Sequence, residues 1–201
     1  MTHPSFTRRA WLRAVFAVAL AGLAGFAALP AARAEAATGG KGFQLTSTDL
    51  KDGGRMPEAQ AYNGFGRHGS NLSPQLSWTG APVGTKSFVI TLYDPDAPTG
   101  SGWWHWVVVN IPANVHELQR GAGSGLAKLP EGALETRTDF GHPGYGGAAP
   151  PAGETHRYIF TVYALKTDTL DVRADTSAAM IGFLVHDNLL AKATLTVRYG
   201  P

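Results

Sequence analysis

Short stretches of β-forming residues divide this chain, and their spacing constrains its fold more than any other feature. Beyond residue 42, β-branched and aromatic residues gather in six runs separated by clusters of Gly, Pro, Asn and Asp. The runs are 43–46, 76–78, 87–93, 103–111, 157–165 and 194–199. Since no long helical pattern lies between them, they predict a mainly β fold, a Greek-key-like sandwich of two antiparallel sheets.

One small helix is predicted late in the chain. It begins near Asp175 or Thr176, either of which can cap a helix, and runs to about Lys192. Its apolar face is formed by residues spaced four apart: Ile181, Val185 and Leu189. The stretch 125–134 suggests a second short helix, which its glycines and Pro130 oppose.

The beginning of the chain has the pattern of an export signal. A basic segment with paired arginines, Arg8 and Arg9, precedes an apolar run at 14–29 and a small-x-small site that ends at Ala34. The paired arginines resemble a twin-arginine signal. A membrane anchor is the alternative, but a spanning helix needs roughly 20 apolar residues. We therefore expect a signal at 1–34 that is cleaved, with no stable membrane insertion afterwards.

The remainder is expected to be one exported domain, periplasmic or secreted, at 43–201 after a flexible lead-in at 35–42. The signal holds four of the 17 basic residues and none of the 15 acidic ones, which leaves 13 basic against 15 acidic residues. This balance does not favour nucleic acid as a partner. Cysteine is absent, so disulfides, thiol nucleophiles and cysteine-bound metals are excluded.

Asp94 is the first candidate site residue. It follows the apolar run 87–93 and precedes Pro95, which cannot donate to a sheet and so ends the strand. Pro95 and Pro98 stiffen the turn and could hold the carboxylate in one orientation. Two interpretations stay open: a functional carboxylate at a strand mouth, or a residue that caps the turn through its own backbone.

His105 is the second candidate. Strict alternation along 103–111 places Trp103, His105, Val107 and Val109 on one face of a strand. Three neighbouring tryptophans provide an apolar wall around one titratable donor, as in many ligand pockets. The alternative is a core histidine that is bonded to a backbone carbonyl.

His156 and Tyr158 fall on one face of the following run and can both donate to one anion. Arg157 points the other way and is expected to pair with Asp96 or Asp139. The preceding segment, 139–153, is rich in glycine, so its N–H groups could form an anion-binding nest. The alternative is a flexible surface loop.

These segments together resemble the phosphatidylethanolamine-binding protein family, specifically its bacterial Raf-kinase-inhibitor-like branch. Four ordered motifs carry the resemblance: Gly69-Ser-Asn-Leu-Ser-Pro-Gln-Leu-Ser-Trp78, Asp94-Pro-Asp-Ala-Pro98 with Trp104-His105-Trp106, Gly144-Tyr-Gly-Gly147, and His156-Arg-Tyr158. It covers nearly all of the chain beyond the signal. The chain departs from the pattern at Ala148-Ala149, where bacterial relatives commonly carry a proline.

The resemblance implies two antiparallel sheets with a small C-terminal helix, and a small anion pocket. The pocket is implied to be lined by Asp94, His105, His156 and Tyr158, with Pro98, Gly146 and Gly147 at its rim. Phosphate-type groups, such as phosphoethanolamine head groups or phosphorylated ligands, are the implied ligands.

We therefore expect a non-enzymatic binding protein without metal or cofactor, whose protonated histidines donate to an anion and whose affinity falls as pH rises. The first alternative is a protein-interaction or inhibitor module, of the protease- or kinase-inhibitor kind, that uses the loops around the pocket. The second is a hydrolase that uses Asp94, His105 and His156. The sequence shows no Gly-x-Ser-x-Gly motif for such an enzyme.

Overall fold

The computed structural model describes residues 42–201. The expected export signal, and all but the last residue of the expected lead-in, lie outside the described residues. The strands and the α-helix are, in chain order, β1 (Gln44–Thr46), β2 (Leu76–Thr79), β3 (Ser87–Asp94), β4 (Trp103–Pro112), β5 (Glu117–Leu118), β6 (Leu134–Glu135), β7 (His156–Leu165), α1 (Ala178–Asn188) and β8 (Leu189–Tyr199). All six predicted strands are present, and five of them lie within one residue of the expected bounds. The last strand, β8, begins five residues earlier than expected, and the short strands β5 and β6 were not predicted.

Two antiparallel sheets form the fold, which confirms the predicted class. The smaller sheet has the order β1-β2-β5, and the larger one has the order β6-β4-β3-β7-β8. The strands β3, β4 and β7 are central because their residues are apolar on both faces, so they can be covered on both sides. Their register brings the end of β3 beside the starts of β4 and β7.

The main core lies between the two sheets. It contains Trp78 and Leu118 from the small sheet, and Phe88, Trp106 and Phe160 from the large one. The opposite face of the large sheet is covered by α1, which packs against the valines of β3 and β4. The helix residues in this second cluster are Ala178, Ile181 and Val185. At one end of the large sheet, the end of β3 lies beside the starts of β4 and β7, and this end is left for a site.

The helix differs from its predicted boundaries. Ser177 caps it, with its hydroxyl accepting from the Met180 N–H, while the hydroxyl of Thr176 accepts from the Arg173 N–H in the preceding turn. Lys192 lies in β8, because pairing with β7 draws the chain into the sheet from Leu189 onward. No helix forms at 125–134. Within residues 42–201, no helix has the length and apolarity that crossing a membrane requires.

Candidate functional site

A cavity of about 170 Å³ opens where β3 ends and β4 and β7 begin. Its polar lining residues are Asp94, Thr99, His105 and His156. The rest of the lining is apolar: Phe65, Ala97, Pro98, Trp103, Phe140, Ala149 and Pro151. Of the seven residues predicted for the site, Asp94, His105, His156 and Pro98 therefore meet at one cavity.

Asp94 is the last residue of β3, and only 2% of its surface is exposed. Its Oδ1 accepts from the Asp96 N–H at 2.8 Å, and its Oδ2 lies 2.8 Å from Nδ1 of His156. The turn-capping interpretation is thus correct for Oδ1, while the functional interpretation stays a prediction. One carboxylate oxygen holds the turn, and the other orients a histidine at the cavity wall.

His156 lies between two carboxylates. Its Nδ1 contacts Asp94, and its Nε2 lies 2.9 Å from Oε2 of Glu154. Burial acts to lower the pKa of His156, but the hydrogen bonds to Glu154 and Asp94 outweigh it, and the pKa is raised. Both ring nitrogens donate only in the imidazolium, so this geometry favours a positive charge. Glu154 was missed from the sequence, although an acid two residues before a histidine was its signal.

His105 sits in a β-bulge. Leu92 pairs with Trp106 and Tyr93 with Trp104, so His105 is the extra residue of β4. The strict alternation expected for this strand is wrong at this point. Val107 and Val109 pack on the helix side, while the His105 ring meets the ring of Tyr158 edge-on, with centroids 5.2 Å apart. The bulge directs His105 to the cavity.

The protonation of His105 follows from its surroundings. Its Nδ1 lies 2.9 Å from the carbonyl oxygen of Gly146 and 3.1 Å from that of Gly147, so Nδ1 carries the hydrogen and donates. Burial lowers the pKa of His105 to about 4. Near neutral pH, Nε2 is therefore a lone-pair acceptor, not the donor that the sequence suggested. The alternative of a histidine bonded to backbone carbonyls describes Nδ1 correctly.

The other three predicted residues lie behind the cavity wall. Tyr158 is fully buried, and burial together with the nearby Asp94 raises the pKa of its hydroxyl. The Gly146 N–H donates to the carbonyl of His105, and the Gly147 N–H donates to Oδ1 of Asn71. These two N–H groups are engaged within the fold, which differs from the nest suggested for this segment.

The glycine-rich segment is held firmly by one residue of the earliest motif. Asn71, at a φ of 50°, donates from Nδ2 to the carbonyl of Tyr145 and accepts from the Gly147 N–H. The Tyr145 hydroxyl donates to the carbonyl of Gln60. Residues 145–148 are buried, so the interpretation as a flexible surface loop is wrong for this part.

Aromatic rings form the mouth of the cavity. Phe65 is 72% exposed and has a φ of 52°, which is rare for a bulky residue. Its ring stacks on Phe140 with centroids 5.9 Å apart, and Trp103 meets Phe140 edge-on at 5.4 Å. A ligand that enters the cavity therefore passes an apolar rim.

Arg157 points away from the cavity, as alternation predicts. Of the two partners suggested for it, Asp96 is the correct one: Nη2 lies 2.6 Å from Oδ1. Asp139 instead accepts from the Trp104 N–H at 2.7 Å. The pair of Arg157 and Asp96 braces the turn that follows Asp94. Among residues 42–201, no group of three His, Asp or Glu side chains is placed to hold a metal ion.

Comparisons with known proteins agree with this architecture. A sequence profile described as phosphatidylethanolamine-binding protein matches residues 46–200. The chain is 58% identical over 157 residues to the UPF0098 protein YbhB of Escherichia coli (strain K12), which covers 78% of this chain and 99% of YbhB. It is 50% identical over 159 residues to YbcL of the same strain, covering 78% of this chain and 87% of YbcL.

Solved structures show the same fold. The crystal structure of Escherichia coli YbcL, a member of the mammalian PEBP family, superposes with a TM-score of 0.77 and covers 79% of this chain and 98% of that one. A homologue from Chlamydia trachomatis, 28% identical, superposes with a TM-score of 0.69 and covers 81% of this chain and 99% of that one. The profile match and the YbhB identity extend over most of the folded region. The chain therefore belongs to the phosphatidylethanolamine-binding protein family.

Proposed function

We propose that this protein is an exported, non-enzymatic binding protein that takes a small phosphate-type anion into the cavity between β3, β4 and β7. The observation that carries the proposal is that the surroundings of His156 favour its protonated, positively charged form. Its two nitrogens face carboxylates, its pKa is raised, and it lies at the wall of the cavity. The imidazolium is flanked by two carboxylates, so an anion gains from its positive charge once the exposed Glu154 turns to solvent. Beside a largely apolar cavity that gain is larger than it would be in water.

The size of the cavity supports a head group as the ligand. Pockets for drug-sized molecules measure about 300–1,000 Å³, whereas this one measures about 170 Å³. A phosphate or a phosphoethanolamine head group suits that space, and two acyl chains do not. The description of the family also names phosphatidylethanolamine, whose head group carries a phosphate.

An anion can reach Nε2 of His156 by displacing the side chain of Glu154. Its side chain is 52% exposed, while that of Asp94 is 3% exposed. A ligand anion can replace Glu154 at Nε2, because an exposed carboxylate loses little when it turns to water. Asp94 remains in place and keeps the imidazole oriented.

A non-enzymatic role is favoured by the groups around the cavity. Thr99 supplies the one hydroxyl among its described lining residues, and it donates to the carbonyl of Gly102. Nucleophilic catalysis needs a hydroxyl or thiol within reach of a base. Nε2 of His156 is engaged by Glu154, and Nε2 of His105 has no hydroxyl partner among residues 42–201.

The export part of the proposal rests on the arginine pair and the apolar run near the chain start. Replacement of Arg8 and Arg9 by lysine should retain the protein in the cytoplasm if the signal is of the twin-arginine type. Cell fractionation measures this directly. Equal export of both forms would contradict that route.

Binding is tested by isothermal titration of the purified protein with phosphate and phosphoethanolamine at pH 6. We expect saturable binding that His156→Gln reduces at least about tenfold, because the substitution removes the positive charge. His186→Ala is the matched control, since His186 is exposed on α1 on the far side of the large sheet. Absence of binding by the folded wild type would overturn the proposal.

A protein-interaction role is the second candidate, and the exposure of Phe65 favours it. An aromatic side chain that is 72% exposed at a cavity mouth is typical of a binding surface. Trp103 and Trp104, whose exposure would have favoured this role, are both half-buried. Phe65→Ala should abolish capture of a protein partner and change phosphate binding only slightly, because Phe65 lies at the exposed mouth of the cavity and offers no polar group to the anion. If Phe65→Ala loses phosphate binding and still captures the protein partner, this role is contradicted.

A further inference from the structure

The cavity presents hydrogen-bond acceptors to a ligand that is proposed to be an anion. Asp94 lines the cavity, and each of its oxygens accepts one hydrogen bond from the protein. A carboxylate has about four acceptor sites and no donor. The buried Tyr158 hydroxyl has no other partner among the described residues and lies beside Asp94, so it can occupy one of the two remaining acceptor sites. At least one acceptor site of Asp94 therefore remains for a ligand.

His105 adds a second acceptor at the same cavity. Its Nδ1 is turned to two carbonyl oxygens and must carry the hydrogen, so Nε2 bears the lone pair. Nε2 makes no hydrogen bond within residues 42–201. The low pKa of the ring keeps this arrangement at neutral and mildly acidic pH.

A fully deprotonated oxyanion has hydrogen-bond acceptors and no donor. Beside Asp94 and His105 it would therefore face two further acceptors. A buried acceptor that loses water without gaining a donor destabilises the complex. An anion that carries a hydrogen avoids this mismatch. Its O–H donates to one of the two acceptors, while its other oxygens remain near the charge of His156.

We infer that the cavity selects oxyanions that bear a hydrogen, the monoanions of phosphate and of phosphomonoesters, over fully deprotonated oxyanions such as sulfate and sulfate esters. This inference rests on the proposed anion-binding function and names its ligand class. The second ionisation of a phosphoryl group has a pKa of about 6. The hydrogen-bearing monoanion is therefore the major form below that pH.

Methyl phosphate and methyl sulfate give a sharp comparison. At pH 5.5 both carry mainly a single negative charge and have nearly the same tetrahedral shape. They differ in the central atom, phosphorus or sulfur, and only the phosphate bears a hydrogen on oxygen. We expect the purified wild-type protein to bind methyl phosphate at least about 100-fold more tightly in calorimetric titrations, because sites built for a hydroxyl reject analogues that lack it. Equal affinities would overturn the inference and leave the anion-binding proposal standing.

Two other outcomes of these titrations would also contradict the proposed anion-binding function. If methyl phosphate, methyl sulfate and inorganic phosphate all fail to bind, both the inference and the proposed function are wrong. If ethylammonium binds and the anions do not, the acceptors serve a cation, and both fall as well.

Asp94→Asn tests the assigned acceptor. The amide presents a donor where the carboxylate presents lone pairs, so the ratio of the two affinities should shrink at least about tenfold even if both affinities fall. Asp96→Asn is the matched control, because Asp96 is in the same turn but pairs with Arg157 outside the cavity. Its ratio should equal that of the wild type. An unchanged ratio in folded Asp94→Asn, verified by circular dichroism, would overturn the role of Asp94.

Discussion

Asp94 and His156 lie 62 residues apart in the chain and meet through a hydrogen bond of 2.8 Å between Oδ2 and Nδ1. The bond joins the end of β3 to the start of β7, where the two strands are neighbours. Both side chains are almost fully buried. This contact therefore links the stability of the large sheet to the charge at the cavity.

Breaking this pair should destabilise the protein. Asp94→Asn keeps an acceptor for the Asp96 N–H but removes the charge beside His156, and loss of a buried ion-pair partner costs about 3 kcal/mol. Urea denaturation at pH 6 measures the free energy of unfolding. Asp96→Asn should cost at most about 1 kcal/mol, since its pair with Arg157 is partly exposed. Equal losses in the two variants would contradict this assignment.

Glu154 should set the pKa of His156 with little effect on stability. In Glu154→Gln the charge beside Nε2 disappears, so the pKa of His156 falls relative to the wild type. His156 stabilises the fold in acid, and that contribution is lost as pH rises through its folded-state pKa. In the variant this loss occurs at a lower pH. Titration of the ring by NMR measures the shift, with the exposed Glu131→Gln as control. An unchanged pKa of His156 would show that Glu154 does not contribute to the charge of this site.

His105 should make the protein less stable in acid, in the opposite sense to His156. Its pKa is lowered to about 4 in the folded state, and an unfolded histidine titrates near 6.5. Between these values the unfolded chain binds the extra proton, so stability falls as pH falls, by about 3 kcal/mol across the window. The measurement is urea denaturation at pH 7 and pH 4.5, for the wild type and for His105→Gln.

The difference between the two pH values is the informative quantity for His105. We expect the variant to be less stable at both pH values, because it loses the bonds to the Gly146 and Gly147 carbonyls. The wild type should lose more stability than the variant between pH 7 and pH 4.5. Parallel losses would show that His105 already binds a proton in the folded protein.

Asn71 should hold the glycine-rich segment against the cavity. Asn71→Ala removes two hydrogen bonds and leaves the buried Gly147 N–H without an acceptor, for a loss of about 3 kcal/mol. Asn71→Asp keeps that acceptor and loses only the donor to Tyr145, so about half of the loss is expected. Thermal and urea unfolding compare the two. Equal losses would show that the Gly147 contact contributes little.

Much of the fold could be predicted from local sequence. The apolar runs 87–93 and 157–165 become central strands because they are too apolar to be exposed on either face. Pro95 ends β3, which is why Asp94 lies at a strand mouth. Helix capping was less predictable, since Thr176 and Ser177 have equivalent hydroxyls. Their backbone neighbours decide which one faces the helix.

The sequence by itself determined which residue types stand at the strand ends, because residue order and β-periodicity are local properties. The tertiary structure alone decided how they act. The bulge that turns His105 toward the cavity depends on how β4 pairs with β3. The protonation of the His105 ring depends on two carbonyls 41 and 42 residues away in the chain. Charge and hydrogen bonding at a buried site are set by neighbours in space. Those neighbours exist only once the chain is folded.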